Sequence, residues 1–394
     1  MFLSDHTHPE HDTPLLILTL TILLSISSII NSDPPEIIWE RNLTTGFDCR
    51  FWGVDCTDDD GAVCVGETAS EDAEITSLIL TKYTPHGLTQ WEIITGWGLA
   101  TTGQDVLSVQ DGYIVCGSIF SGTDYDGFLA KFDYSGNIVW CNRLENPGND
   151  VLYDVALAGD SCYVAAGYTE STGAGRKDAW IVYVDFNGNL QWSRAFGTSE
   201  SEIAYSVTTL RDGGFALAGG SEGNFYIVIT DDEGIGRDAR TYDHGGHETV
   251  RVLIESNEGG LFLAGSTMES GSYQADIWIV RTDCSWDEIW SSEIGGEGND
   301  SAWDVVEPET GGYIILGNTM SSGSGKYDTV LYRIDPWANV IWEIHAGDSL
   351  WNTSSGLSMN SEGNLFFAGR TELPESGLFA AWLVRTSPED LLNW

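Results

Sequence analysis

Tyr163-Val-Ala-Ala-Gly167, Ala179-Trp-Ile-Val-Tyr-Val-Asp185 and Leu190-Gln-Trp192, within the stretch Cys141–Trp192, decide the fold. The first is a short apolar run ending in Gly. The second is apolar on both faces. Phe186-Asn-Gly-Asn189 turns the chain, and the third run starts the return. Four short strands with Gly-rich turns fit this stretch, and the same pattern recurs along almost the whole chain.

Two markers measure the repeat. The first is the Gly that ends the second strand: Gly66, Gly117, Gly167, Gly219, Gly265, Gly317 and Gly369, spaced by 51, 50, 52, 46, 52 and 52. The second is Trp39, Trp91, Trp140, Trp192, then Asp238 in place of Trp, then Trp290, Trp342 and Trp394. Two markers that keep phase over seven units of this length indicate radial β-sheet blades. A solenoid coil is usually shorter, and a sandwich would not repeat seven times.

The third strand of each unit is apolar without alternation, as in Phe128-Leu-Ala, Trp180-Ile-Val, Trp278-Ile-Val and Trp382-Leu-Val. Such a strand is buried on both faces. Twelve residues before the Trp marker stand Ile79, Phe128, Trp180, Tyr226, Trp278, Val330 and Trp382, all large and apolar. The predicted fold is therefore all-β: a seven-bladed β-propeller of four-stranded blades, closed by an N-terminal strand. Residues 36–41 supply that strand and are predicted to pair outside Ala381–Arg385, removing the free edge. Leu391–Trp394 reads as a remnant packed nearby. The chain divides into a leader, residues 1–32, and the propeller, residues 33–394.

The chain carries 60 acidic and 17 basic residues, a formal charge of −43. That field repels nucleic-acid phosphates and anionic membranes and attracts cations. Residues 14–30 form a 17-residue apolar run that cannot join a blade. It predicts export, as a cleaved signal or an uncleaved anchor. An extracytoplasmic monomer is expected, secreted or at the cell surface, touching a membrane only through residues 14–30. Of seven Cys, Cys64, Cys116 and Cys162 fall in second strands and read as small core residues. Cys49 and Cys56 could close a small loop after export. Asn42, Asn299 and Asn352 open Asn-x-Ser/Thr triplets.

Asp185-x-x-Gly188-x-x-x-Trp192 resembles the tryptophan-docking repeat of the pyrroloquinoline-quinone-type propellers, and the repeats of uncharacterised secreted propellers of bacteria and archaea. The resemblance spans residues 36–394 and implies that each Trp packs between adjacent blades. The Asp-to-Gly spacing is one residue shorter than in the quinone motif. Seven units replace eight, and the adjacent Cys pair of the quinone enzymes is missing. The resemblance thus extends to fold and not to activity.

Propeller ligands usually bind the face formed by the fourth-to-first and second-to-third strand loops. On those loops stand Asp126, Asp150, Asp178, Glu202, Asp276, Asp300 and Asp328. They could form a rim for Ca²⁺ or a Ca²⁺-dependent ligand, since hard cations want several oxygens. The alternative is that each Asp caps its own loop. The fourth unit breaks the symmetry. Its second-to-third loop shrinks to Ser221-Glu-Gly-Asn224, and Asp243-His-Gly-Gly-His-Glu248 follows. His244, His247 and Glu248 are candidate metal ligands there. The sequence holds no phosphate loop or HExxH motif. It supports a binding scaffold for protein or glycan. A lyase or hydrolase near His244 and His247, or a surface-layer component, are the alternatives.

Overall fold

Four strands per repeat are present in the computed structural model, which describes residues 33–70, 75–159 and 162–388. Strand β1 is Ile37–Leu43. Blade 1 is β2–β5: Cys49–Cys56, Ala62–Ala69, Thr76–Tyr83 and Thr89–Thr95. Blade 2 is β6–β9: Ala100–Val109, Gly112–Phe120, Tyr125–Phe132 and Ile138–Leu144. Blade 3 is β10–β13: Asp150–Ala158, Cys162–Thr169, Asp178–Asp185 and Leu190–Phe196. Blade 4 is β14–β17: Glu202–Thr209, Phe215–Ser221, Asn224–Thr230 and Gly236–Tyr242. Blade 5 is β18–β21: Gly246–Glu255, Leu261–Glu269, Asp276–Thr282 and Glu288–Ile294. Blade 6 is β22–β25: Asp300–Val306, Tyr313–Thr319, Asp328–Ile334 and Val340–Ala346. Blade 7 is β26–β28, Asn352–Met359, Asn364–Glu372 and Phe379–Pro388, with β1 as its fourth strand.

The closure is the predicted one. β1 lies antiparallel to β28, with Trp39 opposite Arg385 and Leu43 opposite Ala381. The leader, its apolar run and Leu391–Trp394 lie outside the described residues.

The core sits between blades. Each of seven apolar clusters draws on two neighbouring sheets, and together they run round the ring. Period-two alternation explains this. In β7, Tyr113 and Val115 pack toward blade 1, while Ile114 and Cys116 pack toward blade 3. A strand used on both faces must be apolar throughout.

The two sequence markers have separate physical causes. The Gly lies opposite a β-bulge in the innermost strand of its blade, for example between Leu152 and Asp154. A Cβ on Gly167 would stand 1.8 Å from the Val151 carbonyl oxygen, and one on Gly66 would stand 1.9 Å from that of Arg50. No side chain fits such an approach. The Trp packs onto the third-to-fourth turn of the next blade. Trp39, Trp91 and Trp140 donate their indole N–H to Pro85, Tyr134 and Phe186 carbonyls. A Cβ on Gly188 would meet the Trp140 ring at 2.6 Å. Asp133 and Asp185 cap their turns by accepting backbone N–H bonds within the turn.

Blade 4 replaces its Trp with Asp238, and the gap is filled from the other side. The next turn carries Trp286 where the turns of blades 1 to 4 carry Gly, at φ 66°, and Trp286 packs on the core between blades 4 and 5. Arg240 bridges Asp238 and Asp287 across the same junction.

Cys64 and Cys116 are buried core residues, as predicted. Cys49 and Cys56 stand at opposite ends of β2 as free thiols, so the small loop is not closed by a disulfide. Asn352 is buried and accepts a bond from Thr371, which withdraws it from glycosylation.

Candidate functional site

Each bulge turns one side chain toward the ring axis. These residues are Trp52, Gln104, Tyr153, Tyr205, Arg251, Trp303 and Ser355. Six of them precede the marker Gly by fourteen residues, and Gln104 precedes its own by thirteen. The marker was visible in the sequence, but its meaning as a bulge was not. The channel collar was therefore missed.

The collar is aromatic and cationic. The Trp52 and Trp303 rings are 6.5 Å apart, and Tyr153 and Tyr205 are 5.1 Å apart. The Arg251 guanidinium lies 4.4 Å from the Tyr205 ring and 4.8 Å from the Trp303 ring. Beside the collar, above blades 6, 7 and 1, opens a cavity of about 410 Å³. Trp52, Trp303, Tyr327 and Trp351 supply its aromatic walls; Arg50 and Arg370 supply positive charge; Asn318 and Ser301 supply polar groups. Tyr327 and Trp351 stack at 5.0 Å, joining the second-to-third loop of blade 6 to the loop entering blade 7. The cavity thus lies on the face expected to bind.

The two arginines differ. Arg50 approaches Glu67 at 3.5 Å and covers the Trp52 ring at 4.6 Å. Arg370 lies 4.3 Å from the Phe379 ring and has no carboxylate or hydrogen-bond partner for its guanidinium among the described residues. Partial burial, and then the nearby Arg50, lower its pKa.

Below the collar lie Asp105, Asp154, Ser206 and Asp304. Each accepts a backbone N–H from the next blade: Val155, Val207, Leu253 and Leu357 respectively. Burial raises the pKa of these carboxyls. Asp304 is pushed up to about 7. Asp55, nearby on β2, is pushed up to about 6. Asp105 has its pKa raised well above the usual carboxylate range, by burial and then by the charge of Asp154.

The acids read from the sequence occupy the same face but point into it. Asp126, Asp150, Asp178, Glu202, Asp300 and Asp328 are all buried, and Asp276 is half-buried. Asp178 accepts from Ala174 and Gly175 N–H, and Asp328 accepts from Ser324 and Gly325 N–H. Glu202 accepts from Thr198 and Ser221; Asp150 accepts from Ser171. Asp126 pairs with Arg143. The structure brings acids together across blade junctions in pairs. Asp178 with Glu202 flanks Gly197, and Asp276 with Asp300 flanks Gly295. One oxygen each of Asp300 and Asp328 has no hydrogen-bond partner.

His244, His247 and Glu248 do not converge. His244 contacts Glu293 and lies against Trp278, His247 sits beside Gly223, and Glu248 is buried against Gly246 and Thr267. Among the described residues no three His, Cys, Asp or Glu are arranged to hold a metal.

No family model matches the chain. Over 134 residues it is 28% identical to a lambda-carrageenase of Pseudoalteromonas carrageenovora, and 27% identical to one from a Pseudoalteromonas species. Each match covers 34% of this chain and 13% of the relative. The chain thus spans a small part of these relatives. Among solved structures, an acylaminoacyl peptidase in complex with a chloromethyl ketone superposes with a TM-score of 0.51 at 10% identity, covering 88% of this chain and 53% of that one. BBS1N, in its complex with ARL6DN, superposes at 0.50 and 13%, covering 90% and 97%. At such identities these likenesses show the propeller fold alone.

Proposed function

We propose that this protein is an exported binding propeller that holds a carbohydrate in the aromatic cavity between blades 6, 7 and 1. The observation that carries the reading is the cavity itself. Flat indole faces with a few polar groups beside them suit a sugar ring, which is apolar on its C–H faces and polar at its rim. The partial likeness to carbohydrate-active relatives by name agrees with it.

Titration with neutral galactan oligosaccharides, followed by indole fluorescence and calorimetry, tests the reading. Trp52→Ala and Trp303→Ala should each weaken binding about tenfold or more, with the melting temperature kept. Unchanged affinity in both variants, or no binding by the parent, would overturn it.

Divalent cations belong to the same reading. The half-buried Asp276 has its pKa raised by burial and then by Asp300, whose own oxygen lacks a partner. Ca²⁺ between them would relieve both conditions. Melting in Ca²⁺ against ionic-strength-matched NaCl is the measurement.

A further inference from the structure

Arginine is scarce in this acidic chain, yet Arg50, Arg251 and Arg370 gather at one cavity and its collar. Arg50 and Arg370 line the same cavity, and burial, then the Arg50 charge, lower the Arg370 pKa, while Asp48 and Glu67 act in the opposite sense. Arg50 has Glu67 at 3.5 Å. Arg370 lies over the Phe379 ring and makes no ion pair or hydrogen bond through its guanidinium among the described residues. Its fork of N–H donors lines the cavity and is unspent.

We propose that the cavity takes a saccharide carrying an anionic substituent, a sulfate ester or a carboxylate, with the anion on Arg370 and Arg50 and the sugar ring against Trp52 and Trp303. This rests on the carbohydrate reading above and names the ligand's charge. A guanidinium presents two parallel donors matched to two oxygens of such a group. Ser301 and Thr353 offer hydroxyl partners for sugar hydroxyls in the same cavity.

The overall charge of −43 opposes this ligand at long range. Range decides which effect wins. At about 0.5 M salt the Debye length is about 4 Å. The field of distant carboxylates is then largely screened, while an ion pair formed in contact inside a cavity is screened much less.

The experiment is calorimetric titration of the full chain, at about 0.5 M NaCl, with three probes: neutral galactan oligosaccharides, the same oligosaccharides bearing sulfate esters, and oligogalacturonates. The sulfated probe, the uronate, or both should bind at least about tenfold tighter than the neutral one. The two anionic probes identify which anion is preferred. Arg370→Gln should abolish that preference. Arg370→Lys should restore part of it. Thermal melting of each variant checks folding. Equal affinity for neutral and anionic probes, still lost in Trp52→Ala, would overturn the anionic subsite and leave the carbohydrate reading standing. No binding of any probe would overturn both. A preference that survives in Arg370→Gln would also overturn the assignment.

Discussion

Asp304 shows how one side chain couples the channel to pH. Its carboxyl accepts the Leu357 N–H and its own neighbour's N–H, but burial pushes its pKa up to about 7. Between the ordinary value of 3.8 and about 7, the folded protein keeps a proton that the unfolded chain has released. Raising the pH through this window therefore favours unfolding, and the stabilisation from the protonated group is complete only below 3.8. Asp55 acts in the same sense up to about 6. Asp59 is depressed and acts oppositely, losing its contribution as pH falls below 3.8. The melting temperature should fall between pH 4.5 and pH 7.5. In Asp304→Asn the fall should be smaller, although the amide loses one acceptor and about 1 kcal/mol with it. Parallel curves for the two proteins would rule out Asp304 as a source.

At the scale of elements, the decisive contact joins the two ends of the chain. β1 covers the edge of β28, whose run Ala380–Val384 is buried. Its Trp39 also docks on blade 1 through Pro85 and Gly87, so β1 fastens blade 7 to blade 1. Deleting residues 33–43 uncovers an apolar strand edge, which templates pairing with other chains. The deletion should lower the melting temperature and produce concentration-dependent association in light scattering. Trp39→Ala alone should cost about 3 kcal/mol in denaturant unfolding. A deletion that stays monomeric with unchanged melting would refute the role of β1. The exchange at blade 4, Asp238 for Trp and Trp286 for Gly, shows that the junction needs one indole and accepts it from either sheet.

For the whole molecule, shape and charge act together. The ring has seven shared cores, so no blade has an independent interior, and an acidic surface keeps the assembly soluble. The cation site proposed at Asp276 and Asp300 would draw on the same surplus of carboxylate. Millimolar Ca²⁺ should raise the melting temperature beyond the rise from matched NaCl, because a bound ion stabilises the native state by mass action while NaCl only screens. Equal shifts would remove the bound cation. Within this surface Arg50 and Arg370 line one cavity, and the proposed anionic ligand would be selected there.

Periodicity lives in the chain, and so the ring was legible before any coordinates. Gly167 and its six equivalents, the doubly apolar third strands and the stray β1 sequence each obey local rules that repeat. The cavity opens on the face that the loop order singled out, because loop order follows strand order. It could not find the cavity. Arg50 and Arg370 are 320 positions apart in the chain and meet only because blade 7 closes on blade 1. Trp52 and Trp303 likewise lie in different repeats. The rim acids were legible as residues, but their direction was not. Whether a carboxylate points to solvent or into its own loop depends on which backbone N–H groups the folded turn leaves unpaired, and only the assembled tertiary structure decides that.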